Sequence, residues 1–201
     1  MALILEWPDV LRPRSVEWGL IHSQAAARST FDSSAQAVTL GAARWTCTIT
    51  TGVLRHDEVP EWEALIDQLD GMINRIRLWD WRRELPIGPA TGAPVVRVSA
   101  LGVSLQTEGW TPNVTGIIRA GSYLSVNSEL KRLSATADSD ALGRATLVLR
   151  PPLRFAPPVG TVLYVIKPKA KFLLTTTRPS MPQEGARSTG WTLTFEEDLT
   201  P

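Results

Sequence analysis

Catalysis and metal binding start from nucleophiles, bases and ligands, and this chain of 201 residues holds few of them: two histidines, His22 and His56, and one cysteine, Cys47. Neither histidine stands at a recognisable spacing from a second ligand or a nucleophile, so both read as surface or strand-end residues. Cys47 lies on the apolar side of RWTCTIT, where a free thiol behaves as a small hydrophobe and has no partner base. In DSDALGRATLVL, Asp138, Asp140 and Gly143 occupy the first, third and sixth positions of a calcium loop. Leu142 and Leu149 then stand at the fifth and twelfth, where ligands belong, so the segment reads as a turn between strands. Asn113, in NVT, reads as a turn too. Glu196 and Glu197 are adjacent, and on a strand they face opposite sides and cannot share one reacting group. Phosphate-binding patterns of the GxxxxGK[ST] or GxGxxG kind are absent. The expectation is a protein that is not an enzyme and carries no cofactor or metal.

The densest cluster of functional side chains is NRIRLWDWRR, 74–83, with four arginines and two tryptophans in ten residues. If the segment is extended, Ile76 and Leu78 share one face, while Arg75, Arg77, Trp79 and Trp81 share the other. Such a face suits single-stranded nucleic acid, where indoles stack on bases and cations track phosphates. It equally suits a protein interface, because Trp and Arg are the types most enriched at hot spots. Lys plus Arg number 21 against 20 for Asp plus Glu, so no chain-wide field draws polyanions. No second basic and aromatic segment occurs, which favours a subunit or interdomain interface at Arg75, Arg77, Trp79 and Trp81 and gives no reason to expect sequence-specific nucleic-acid binding.

The elements that must position these residues are mostly strands. Val16, Trp18 and Leu20 alternate in SVEWGLI; Trp45, Cys47 and Ile49 alternate with threonines in RWTCTIT; Trp191, Leu193 and Phe195 do the same near the end. One amphipathic stripe interrupts them: Trp62, Leu65, Ile66, Leu69, Ile73 and Ile76 recur at three- and four-residue spacings. Pro60 in the first turn, with Glu61 and Glu63 near the positive dipole end, predicts a helix over about 60–74, with Gly71 its weak point.

After the breaker cluster GPATGAP, residues 91–167 carry only short alternating strands and turns. The expected architecture is mainly β with one α-helix: a sandwich-like or barrel-like β domain from 1–90 and 168–201, and a small all-β module inserted at 91–167. Trp110, in EGWTPN, is expected at an exposed tip of that module. No apolar run approaches the ~20 residues of a membrane-spanning helix. MALILEWPDV reaches Glu and Pro too soon for a signal peptide, and a single cysteine suits a reducing cytoplasm.

The order of segments resembles the distal tail and tail-tip ring proteins of long-tailed bacteriophages. The resemblance covers about residues 36–198. It is carried by GAARWTCTIT, the helix EWEALIDQLDG, RIRLWDWRRELPIG, the pair AGSYLSVNSELKRL and DSDALGRATLVLRPPLR, and the closing GWTLTFEED. Ser122 stands where the pattern has an acidic residue after the glycine. The resemblance implies a structural virion protein at the distal end of the tail, made in the bacterial host's cytoplasm. There it would form a homo-oligomeric ring, commonly a hexamer, and adapt the tail tube and tape measure proteins to the baseplate hub or tip. Two other readings stand beside it: a carbohydrate- or receptor-binding β-module using Trp110, and a single-stranded nucleic-acid binder.

Overall fold

The computed structural model describes residues 2–28, 30, 32, 34–39, 43–177, 179–180, 183–184, 187–188 and 190–200. Its elements in chain order are β1 (Ile4–Glu6), β2 (Ser15–Ile21), β3 (Gln24–Arg28), β4 (Ala35–Thr39), β5 (Arg44–Thr50), α1 (Val59–Leu69), β6 (Arg75–Leu78), β7 (Gly92–Val98), β8 (Gly102–Trp110), β9 (Tyr123–Val126), β10 (Glu129–Leu133), β11 (Ala145–Leu153), β12 (Ala170–Leu174), β13 (Gln183–Glu184), β14 (Arg187–Ser188) and β15 (Thr192–Glu197). The fold is β-rich, with one short helix.

Strands from the two ends of the chain build a six-stranded sheet in the order β1-β6-β12-β15-β5-β2. All its pairs are antiparallel except β1 with β6. The two Trp/Thr strands are neighbours, with Cys47 opposite Phe195 and Ile49 opposite Leu193. Their apolar sides are buried together with Ile76, Leu78, Phe172 and Leu174. Each such side chain contributes about 1.5–3 kcal/mol through removal from water, which fixes the register against a one-residue slip. Of the expected GAARWTCTIT strand, Gly41 and Ala42 lie outside the described residues.

α1 lays Trp62, Leu65 and Leu69 on this same apolar face. It is shorter than the periodicity predicts and ends at Leu69, not near residue 74. Asp70 (φ 47°) and Gly71 (φ 61°) both adopt left-handed backbone, which stops the helix and leaves Met72 and Ile73 exposed. Asn74 then ties the turn down, its amide donating to the Gln68 carbonyl at 2.8 Å.

The middle of the chain forms a second sheet, β7-β8-β11-β10-β9. The segment 162–164 bridges its two outer strands, with Val162 beside Val95 on β7 and Tyr164 beside Ser125 on β9, so the sheet closes on itself as a small barrel. Val96, Leu105, Leu124, Leu147, Leu149 and Leu163 are among the residues that fill it. The barrel core and the six-stranded core are separate apolar clusters, and Tyr123 and Leu130 of the barrel belong to the latter. β3 and β4 form their own hairpin, exposed along Gln24–Arg28 and from Ala35 to Val38.

Candidate functional site

β6 ends at Leu78, and that ending decides where the arginines and tryptophans go. Ile76 and Leu78 are buried and Arg75 and Arg77 lie on the opposite side, as a period of two requires. Past the strand end the alternation lapses. Trp79 turns inward, only 4% exposed, and joins the core instead of sharing a face with the arginines. Trp81 is half-buried beside it, the rings 4.9 Å apart. Trp7 meets Trp81 edge-on at 5.2 Å and Trp62 at 5.6 Å, so indoles from the segment after β6, the N-terminal segment and α1 make one continuous cluster. The ammonium groups of Lys167 and Lys169, where the chain leaves the barrel, lie 5.3 Å from the centre of the Trp79 ring, within cation–π range.

All four arginines of 74–83 are engaged inside the chain. Arg75 donates to Asp198 at 2.6 Å and to the carbonyls of Met72 and Ile73. Arg77 donates to Glu6 at 2.7 Å. Arg82 grips the buried Asp80 through two hydrogen bonds of 3.1 Å, and Arg83 donates to the Gly121 carbonyl of the barrel at 2.7 Å. Arg75, Arg77 and Arg82 thus find carboxylate partners within the chain, and Arg83 a carbonyl. Burial works against ionisation of Asp198 and Glu6. The hydrogen bonds from Arg75 and Thr200 in one case, and from Lys169 and Arg77 in the other, nevertheless hold both carboxyls below their ordinary values.

Sequence reasoning missed a second constellation, which sits where the barrel meets the six-stranded sheet. Lys131 is completely buried, its ammonium 2.5 Å from Glu129 and 2.9 Å from the Pro152 carbonyl. Burial pulls the Lys131 pKa down, against the raising effect of Glu129. The carboxylate of Glu129 also accepts the N–H groups of Arg154 and Phe155. Arg154 crosses the junction to Glu197 on β15 at 2.6 Å, and Glu197 in turn accepts the N–H of Trp45 at 3.1 Å. The Trp45 indole donates to the Leu130 carbonyl, while its ring meets Tyr123 at 5.3 Å. The sequence carries one trace of the pairing, that Glu129 and Lys131, two apart in a strand, share a face, and none of their burial.

The tip residue is also corrected. Trp110 is 3% exposed, in the barrel core at the end of β8, with its indole donating to the Thr107 hydroxyl at 2.8 Å. Burial of the β8 end leaves no stacking platform there. His22 and His56 are exposed, and Cys47 is buried, its thiol pushed far up by desolvation and by Asp80. Asp140 accepts the N–H groups of Leu142 and Arg144 at 2.8 Å each, so its turn is closed by the backbone itself. Gly143 (φ 68°) is required there, because a Cβ would collide with the Trp110 carbonyl. No cluster of three or more metal-ligating side chains occurs among the described residues, and no helix among them is long and apolar enough to cross a membrane.

No family model matches this chain, and no curated protein matches it. Its two large sheets are joined by buried charge at Arg154 and Glu197.

Proposed function

We propose that the protein is a ring-forming structural adaptor at the distal end of a long-tailed phage tail, joining the tail tube to the tip or baseplate hub. The observation that carries this reading is the six-stranded sheet, whose outer strands β1 and β2 have no ladder partner on their far sides among the described residues. Open edges are templates for pairing with another chain, and two different edges on one subunit suit a head-to-tail contact that closes into a ring. The β3–β4 hairpin supports it: an isolated two-stranded hairpin is marginal in water, and this one is exposed throughout its described side chains, so a neighbour would stabilise it. The inserted barrel would decorate the ring, with the tape measure and hub proteins as further partners.

The test is genetic and visual. Deleting the coding sequence from the genome that carries it should give particles with unfinished or tipless tails by electron microscopy, restored by the gene in trans. Normal tails with unchanged tips would overturn the reading.

A further inference from the structure

Where the chain leaves the barrel its side chains alternate on either side of a bend at Ile166 and Lys167, the latter in left-handed backbone (φ 43°), before β12 begins. Leu163, Val165, Ala170 and Phe172 point inward and are buried. On the outside come Val162, Tyr164 and Ile166, the last two each 63% exposed, followed by Lys167, Lys169 and Lys171. With Arg77 and Glu6 beside them, these residues line a groove of about 750 Å³. Along this segment an apolar stretch precedes a basic one, and Ser125, Asn127 and Ser128 line the groove as well. Its carboxylates are few: Glu6 is shared by Arg77 and Lys169, and Glu84 stands 3.9 Å from Lys167. Exposed pairs of this kind bind weakly and leave the stripe a net cation.

The complementary surface is on the same chain. Asp57, Glu58, Glu61, Glu63, Asp67 and Asp70 are all exposed on or beside α1, and none of them has an ion-pair partner among the described residues. Immediately after this acidic run come the exposed apolar side chains of Met72 and Ile73. From Glu61 to Asp70 is about 14 Å at 1.5 Å per helical residue. From Lys167 to Lys171 is at most about 13 Å at 3.3 Å per extended residue. Both surfaces therefore run from a charged strip of similar length into an apolar end.

The two surfaces cannot meet within one molecule. α1 packs on the side of the sheet that holds Ile76 and Phe172. Arg77 and Lys171 are adjacent in register between those residues, so by the pleat they point to the other side. Opposite faces of one subunit meet in a head-to-tail contact, whereas a two-fold dimer would bring like patches together. Nucleic acid is a poorer occupant, since Val162 and Ile166 stand among the lining residues and the carboxylate of Glu6 stands beside the lysines.

We propose that the acidic outer face of α1 in one copy docks on the Lys167–Lys169–Lys171 groove of the next. The proposal rests on the ring reading and adds a charged contact between neighbouring copies to the pairing of their sheet edges. Reversing either patch makes like charges meet and should weaken association by about a hundredfold. Two triple variants test it, each checked by a thermal melt: Glu61→Lys/Glu63→Lys/Asp67→Lys, and Lys167→Glu/Lys169→Glu/Lys171→Glu. Each alone should be monomeric by light scattering at a concentration where wild type assembles. An equimolar mixture should recover assemblies, because the lysine helix then meets the glutamate groove and the unchanged helix meets the unchanged groove in alternation. If both variants assemble like wild type, or the folded mixture stays monomeric, this interface is wrong while the ring stands. If wild type never assembles at any concentration, ring and interface fall together. Binding of a fluorescent oligothymidylate that is lost with the three lysines would put nucleic acid in the groove instead and overturn the proposal.

Discussion

The guanidinium of Arg154, just past the last long strand of the barrel, lies 2.6 Å from the carboxylate of Glu197 on the last strand of the six-stranded sheet. Both side chains are largely withdrawn from water, and between them they join parts of the protein that have separate apolar cores. Removing one member of such a pair leaves the other charge buried without its partner. Arg154→Met should therefore cost about 3–5 kcal/mol of stability, measured as a shift of the urea midpoint. A loss below about 1 kcal/mol would mean that the junction is hydrated and loose.

Lys131 and Glu129 behave differently as a pair than as individuals. Lys131→Met alone strands Glu129 and should destabilise by about 3–5 kcal/mol, whereas Glu129→Gln with Lys131→Met should recover most of the loss, because two desolvation penalties vanish together. Since burial lowers the Lys131 pKa, the unfolded chain keeps a proton that the folded chain has lost as pH approaches the ordinary lysine value. Wild-type stability should thus gain a rising contribution toward about pH 10, and the double variant should lack it. Chemical denaturation across alkaline pH checks both points.

Trp79 and Trp81 can be separated by the same kind of measurement. Trp79 is enclosed by the indole cluster and two lysines, so Trp79→Ala should cost about 3–5 kcal/mol in folding. The half-buried Trp81 should cost less. Equal, small effects on thermal melting would return the pair to the role of a surface anchor.

Acid should weaken the edge of the six-stranded sheet. Asp198 and Glu6 have folded pKa values below their ordinary ones, so the stability they add is present above about pH 4 and is lost as pH falls through the lower folded values. Asp198→Asn should flatten that acid limb and lower stability at neutral pH. An unchanged acid limb in the variant would show that Arg75 does not act through Asp198.

Strands β2, β5 and β15 were legible because a two-residue period with one apolar face allows little else, and the shared Trp/Thr pattern of β5 and β15 pointed to one domain; β1 and β12 are too short for such a period to show. Helix length was not legible: the apolar spacing continues through Ile73 and Ile76, while the backbone reverses at Asp70 and Gly71 in a conformation that periodicity does not record. Trp110 was misplaced for a related reason, since EGWTPN looks like a turn although the strand runs to its tryptophan and closes over it. The partners of the arginines of 74–83 were not legible. Asp198 and Glu6 lie far away in sequence, and only the sheet order brings them alongside. The buried Glu129 and Lys131 stayed hidden because β10 is covered on both sides, by the barrel on one and the sheet on the other, and one-dimensional alternation gives no sign of a second cover.

The central claim is that this chain is built to close into a ring of its own copies. Its most direct test is the mass in solution by light scattering on a sizing column, with negative-stain imaging of the main peak. A closed ring with the mass of six chains of 22.1 kDa each is the expected result. A single 22.1 kDa species at every concentration, with no rings on the grid, would contradict it.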